Sequence, residues 1–278
     1  VSAPRPLNQR TFATADAAVA GTVVDQGAQV TSWVVEGQDA LWVSSCARFE
    51  EGQGVRGGVP ICFPWFGLGR TGAARPKHGT ARLTHWNFEG STACDDAVTA
   101  TYSLPASIFP GRAFGLALRF EVTFGAELQM RLTVTNEGDE AASYEEALHT
   151  YFAVDDIRDA RITGLDGVDY VDHADGKQAK TQDGDVVFTG QTDRVYARGG
   201  AMVLHGAAGG RTLEIVSEGA ANTVVWNPWA GGTAEMADFA DDEWVKMVCI
   251  EAANTLENAI ELEPGAAHTL LYRVRVLA

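Results

Sequence analysis

Alternation with a period of two restricts this chain more than any other feature. Across residues 128–135 (LQMRLTVT), Leu128, Met130, Leu132 and Val134 share one face, and polar groups take the other. That is the pattern of an antiparallel strand with one buried side. Strand-like runs recur at 17–24, 29–35, 97–104, 118–124, 201–205, 212–217, 223–226, 245–251 and 269–276. Turn formers lie between them, among them Glu36-Gly37, Asn136-Glu137-Gly138, Asp183-Gly184, Gly209-Gly210 and Pro264-Gly265. No amphipathic helix of four turns is visible, and closely spaced short strands predict a sandwich or barrel rather than a βαβ fold. No linker, low-complexity block or solenoid repeat interrupts the pattern, so the expectation is one all-β domain, a large antiparallel β-sandwich spanning residues 1–278.

Charge narrows the partners. Twenty-one Lys+Arg against 37 Asp+Glu leave a net charge of −16. Such a field repels phosphate backbones and anionic lipid, so neither nucleic acid nor a membrane is an expected partner. An anionic small molecule would need a local basic pocket. The cysteines, at 46, 62, 94 and 249, form no C-x-x-C pair and read as reduced core thiols rather than a zinc ribbon or redox site. No apolar run approaches the roughly 18 residues of a membrane span, and the first ten residues carry two prolines and no apolar stretch. A cytoplasmic protein is the expectation.

Gly67-Leu68-Gly69-Arg70-Thr71-Gly72 matches G-x-G-x-x-G in letters only. Pro64 breaks the preceding run and Pro76 forbids a useful helix after it, whereas a dinucleotide site needs both a strand and a helix.

Four other segments carry residue types suited to chemistry. In VRGGVPICFPWFG (55–67), Arg56 precedes two glycines that permit close backbone packing, and its planar fork suits ring hydroxyls or phosphate oxygens. In KHGTARLTHW (77–86), Lys77, His78 and Arg82 continue a basic stretch begun by Arg70 and Arg75, with no acid between residues 70 and 82. This stretch is the expected basic pocket. In ALHTYF (147–152), His149 and Tyr151 share one strand face. In VCIEAAN (248–254), Glu251 closes a hydrophobic strand, where a carboxylate either reaches solvent or lines a cleft. Histidine with a carboxylate, and no H-x-x-x-H spacing, points to proton transfer and no metal. A serine nucleophile lacks its G-x-S-x-G. A two-carboxylate glycosidase, with Glu145 or Glu146 beside Glu251, stays open at this level.

Taken in order, RGGVPICFPWFG, HGTAR, ALHTYF, TDRVY, VVWNPW, MADFADDEW and VCIEAAN resemble the hexose-6-phosphate mutarotase (glucose-6-phosphate 1-epimerase) branch of the aldose-1-epimerase superfamily. The resemblance implies a galactose-mutarotase-like β-sandwich with an open cleft on one sheet. It implies interconversion of the α and β anomers of a hexose 6-phosphate by ring opening, without a cofactor, in a chain expected to be a monomer. His149 corresponds to the general acid and Glu251 to the general base. Arg56, His78 and Asp193 correspond to substrate ligands, and Arg82 to a second cation near the phosphate, with Lys77 a weaker match. Phe109-Pro110-Gly111 departs from the family pattern, which places Trp before Pro, and is expected to reshape a cleft wall. An aldose 1-epimerase acting on unphosphorylated sugars and a non-catalytic carbohydrate-binding sandwich are the alternatives.

Overall fold

The strand Glu127–Asn136 realises the alternation, with Leu128, Met130, Leu132 and Val134 fully buried and their neighbours half exposed. In the computed structural model, which describes residues 5–234 and 236–277, it lies within a nine-stranded sheet. From edge to edge the order is Val186–Val187, Arg161–Thr163, Ala201–Ala207, Arg211–Glu218, Ala267–Leu277, Glu127–Asn136, Leu116–Phe124, Ala97–Leu104 and Asn87–Cys94. A second sheet of eight strands runs Gln178–Thr181, Asp169–Asp172, Thr192–Tyr196, Asn222–Asn227, Met247–Asn254, Glu146–Leu148, Ile61–Cys62, with Tyr151–Ala153 also paired to Met247–Asn254. Pairing within both sheets is antiparallel.

One hydrophobic core lies between them. Phe120, Leu132, Ile215 and Val274 enter it from the first sheet, and Leu148, Phe152, Val225, Ile250 and Ala252 from the second. Each such large side chain contributes on the order of 1.5–3 kcal/mol by leaving water. Tyr272 crosses the gap, its hydroxyl donating to the Ile250 carbonyl at 2.6 Å. A four-stranded sheet, Gln9–Ala13, Val19–Val24, Gln29–Val35 and Gln38–Asp39, joins the same core. Trp33 Nε1 donates to the Gly125 carbonyl at 3.1 Å, and Phe12 stacks on Phe124.

Helical structure among the described residues amounts to Trp229–Thr233 and a few 3₁₀ turns. No helix among them is long and apolar enough to cross a membrane. The cysteines divide, against the expectation of four core thiols: Cys62 and Cys249 are buried, while Cys46 and Cys94 are exposed. All four are free thiols.

The strand Met247–Asn254 positions the site. All eight of its residues are buried, because both of its faces are covered. Val248, Ile250 and Ala252 enter the inter-sheet core, whereas Met247, Cys249, Glu251 and Ala253 turn to the opposite face. That opposite face is covered by Trp42, Tyr151 and Phe239 at Met247 and Cys249, and reaches the floor of a cleft at Glu251.

Candidate active site

The cleft floor is a grid set by strand register. Tyr151, Cys249, Trp226 and Asp193 pair in one row across four strands. In the next row Val195 pairs with Val224 and Val224 with Glu251. The hydrogen-bonded strand lapses between Glu146–Leu148 and Tyr151–Ala153, contrary to a continuous strand through 147–152, yet the register persists across the gap. Leu148 pairs with Ala252 and Tyr151 with Cys249, so His149 falls opposite Glu251. Directly opposed residues on one face are close enough to interact.

His149 Nε2 lies 3.4 Å from Glu251 Oε1, without the alignment of a hydrogen bond. His149 is 8% exposed and Glu251 1%. Neither Glu251 oxygen has a hydrogen-bond partner, nor does His149 Nδ1. Polar atoms so buried are normally satisfied, and this concentration of unsatisfied ones marks a place built for a ligand. Burial, reinforced by the charges on Arg56, Lys77 and Arg82, pushes the His149 imidazole down to about 3. Burial, with the nearby Asp193 charge, raises the Glu251 carboxyl well above its ordinary value, against an opposing pull from Lys77.

Aromatic rings hold the histidine. Tyr151 stacks on it at 4.8 Å with 9° between planes, and Trp226 meets it edge-on at 6.2 Å. Tyr151 also accepts a hydrogen bond from Arg56 Nη1 at 3.1 Å, while Arg56 Nη2 reaches Asp238 Oδ1 at 3.2 Å. The glycines after Arg56 are required: at positive φ, a Cβ on Gly57 would lie 2.5 Å from the Trp42 carbonyl oxygen and one on Gly58 2.1 Å from that of Val30.

His78 packs edge-on against both Phe66 and His149, and its Nδ1 accepts from the Gly67 N–H at 3.3 Å. Burial first, then proximity to His149 and the charges of Lys77, Arg82 and Arg56, push it well below the ordinary histidine range. With Nδ1 accepting, the neutral ring presents an Nε2–H donor. Asp193, half-buried on Thr192–Tyr196, has its carboxyl raised by burial, against the pull of His173 and Lys77.

The cleft, about 540 Å³, brings together every residue expected there: Arg56, His78, Arg82, His149, Asp193 and Glu251. The basic stretch divides, however. Lys77 and Arg82 line the cleft. Arg70 instead bonds Ser143, and Arg75 the neighbouring Ala74 carbonyl, both in exposed settings. Sequence reasoning missed His173, Lys177 and Asp238, which also line it. His173 and Lys177 flank the turn at Asp175-Gly176, and their sequence proximity was the available signal.

Two other readings change. Glu145 accepts from Thr255 Oγ1 and the Leu256 N–H, and Glu146 from Asn254 Nδ2. Both are structural ties outside the cleft lining, so a two-carboxylate site with Glu251 does not form. Phe109 is buried edge-on against Phe63 at 4.8 Å, in the core rather than on a cleft wall. The segment 67–72 keeps its expected character, a series of turns, here at the cleft rim.

Residues 11–275 match the aldose 1-epimerase family. The chain belongs to that family. A protein named "Putative glucose-6-phosphate 1-epimerase" from Salmonella typhimurium is 35% identical over 248 residues, covering 86% of this chain and 82% of its own. The solved structure of "a putative mutarotase (YeaD)" from Salmonella typhimurium superposes with a TM-score of 0.88 at 28% identity, over 98% of this chain and 90% of that one. A galactose mutarotase-like protein from Lactobacillus casei shares the fold, with a TM-score of 0.71 at 15% identity over 97% of this chain and 100% of that one. This aldose 1-epimerase family member is thus a galactose-mutarotase-like β-sandwich and an isomerase, of the class that interconverts sugar anomers.

Proposed function

We propose that this enzyme interconverts the α and β anomers of a hexose 6-phosphate, glucose 6-phosphate foremost, with Glu251 as general base and His149 as general acid. One observation carries the reading: the two groups face each other across 3.4 Å in a cleft whose lining includes Lys77, Arg82 and Lys177. The name carried by the Salmonella relative supports the same substrate.

The reaction removes the proton from the anomeric hydroxyl and adds one to the ring oxygen. The ring opens to the aldehyde, rotation about C1–C2 exchanges faces, and the reverse steps close it. Burial disfavours charge on both groups, and an uncharged pair holds the same number of protons as imidazolium beside carboxylate. The dyad therefore reaches its working state by moving one proton within the pair. Sugar hydroxyls bonded to the Glu251 oxygens favour that charge-separated state. Roles exchange between ring opening and closing.

Arg56 is already paired with Asp238, so it serves a ring hydroxyl and the orientation of Tyr151. Lys77, Arg82 and Lys177 are left for the phosphate. His78 donates to, and Asp193 accepts from, other hydroxyls. A cleft completed by one chain supports action as a single-domain monomer.

Exchange NMR of α and β glucose 6-phosphate, beside free glucose, tests the reading. Acceleration of the phosphate alone supports it. Equal acceleration of free glucose would make this a broad aldose 1-epimerase, and acceleration of neither a sugar-binding sandwich.

A further inference from the structure

Beyond the proton-transfer pair, a third donor with no part in that chemistry lies beneath the cleft, fully buried. Cys249 lies two residues before Glu251 on the same strand face. A ring nitrogen of His149, the Cys249 sulfur and a Glu251 oxygen all lie within 4.8 Å of one another. We propose that these three side chains form a binding site for a borderline transition-metal ion, Zn²⁺ in particular, and that the ion inhibits the enzyme by competing with the sugar.

Three observations converge on this assignment. Both Glu251 oxygens are buried and unpartnered, so the carboxylate is aimed into the cluster with nothing holding it elsewhere. The 3.4 Å from His149 Nε2 to Glu251 Oε1 matches the roughly 3.3 Å between nitrogen and oxygen ligands bonded at about 2.0–2.1 Å to one tetrahedral ion. The donor set is sulfur, nitrogen and oxygen, which suits Zn²⁺ and disfavours Mg²⁺ and Ca²⁺, whose ligands are oxygen. His149 and Glu251 line the cleft whereas Cys249 does not, so an ion reaches the sulfur by way of the catalytic pair.

Binding requires a thiolate and a carboxylate, so the Cys249 thiol proton and any proton on Glu251 pass to solvent. The ion then occupies the atoms that the sugar would use. Metal binding can be read without turnover, so its failure and the failure of the proposed reaction are distinguishable.

Replacing the exposed Cys46 and Cys94 with Ser removes the competing surface thiols. Titrating that protein with Co²⁺ should produce one thiolate-to-cobalt charge-transfer band, at one ion per chain, which Zn²⁺ abolishes. Adding Cys249→Ala should eliminate the band and raise the Zn²⁺ Kd at least tenfold, while adding Cys62→Ala leaves both unchanged. Zn²⁺ should slow anomer exchange, with relief by a chelator or by excess glucose 6-phosphate, and Cys249→Ala should exchange anomers but resist Zn²⁺. Where Cys249→Ala does not fold, Glu251→Gln must raise the Zn²⁺ Kd by the same factor. Absence of a thiolate band overturns the site. So does a Kd within twofold of the parent in both Cys249→Ala and Glu251→Gln, or loss of the band only in Cys62→Ala.

Discussion

His149 stands opposite Glu251 in the strand register, 3.4 Å away, with no hydrogen bond aligned between them. A pair held this close, yet left unbonded in a buried setting, is poised to bond something placed between its members. Acid and base catalysis each contribute about 10²–10⁴-fold. Either His149→Ala or Glu251→Gln should therefore lower kcat by that range in exchange NMR. Groups that act as a unit are not additive, so the double variant should be scarcely worse than the poorer single one. A single variant keeping near-normal exchange would remove that residue from the reaction.

Stability should depend on pH with opposite signs at the two groups. His149 titrates near 3 in the folded chain against about 6.5 unfolded, so its contribution is complete above pH 6.5 and is lost as pH falls toward 3. Glu251 has a raised carboxyl, so its contribution is complete below its unfolded value and is lost as pH rises through the folded one. Glu251→Gln should therefore raise Tm at neutral and alkaline pH while silencing the enzyme, by roughly 2–4 °C for each kcal/mol recovered. Calorimetry from pH 5 to 9 reads both effects, and a Tm lowered by Glu251→Gln at pH 8 would contradict the sign.

Arg56 bonds Tyr151 and Asp238 through different nitrogens of one planar fork. Lysine offers a single point charge and cannot hold both in that geometry. Arg56→Lys should raise KM about tenfold or more, in line with roughly 1.5–3 kcal/mol for a lost charged hydrogen bond. Steady-state exchange rates over a range of sugar concentrations check this; an unchanged KM would leave Arg56 without a binding role.

The cleft cations should discriminate between sugars. Replacing Lys77, Arg82 or Lys177 with Ala should raise KM for glucose 6-phosphate several-fold and leave any activity on free glucose unaltered. Exposed charges are screened by salt, so the wild-type KM should itself rise between low and physiological ionic strength. Equal losses on both sugars would relocate the phosphate. Arg70→Ala and Arg75→Ala, whose side chains lie outside the cleft lining, serve as the controls.

The strands legible in the sequence are those with one dry face, such as Glu127–Asn136. Asn87–Cys94 and Gln178–Thr181 escaped notice because they are edge strands, largely exposed and polar, with no hydrophobic period to read. His149 and Glu251 were legible from their motifs, while their opposition rests on pairing between segments about 100 residues apart. Asp238 stands within MADFADDEW, but its partnership with Arg56 was illegible for a similar reason. It reaches Arg56 across 182 residues, on a segment anchored by Asn227, whose side chain donates to the Trp244 and Met247 carbonyls. The basic stretch was overcounted because proximity in sequence does not say which way a turn directs its side chains.

The register grid also dictates where this chain can change length. Side chains alternate faces along a strand, so one residue added or removed within 146–153 or 247–254 would carry everything beyond it to the opposite side. Such an insertion before Glu251 would turn its carboxylate into the inter-sheet core and bring Ile250 or Ala252 into the cleft. Turns remote from the cleft, such as Asp95-Asp96 between Asn87–Cys94 and Ala97–Leu104, sit outside this constraint and are free to lengthen, so insertions and deletions should accumulate there and be purged from the two opposed strands.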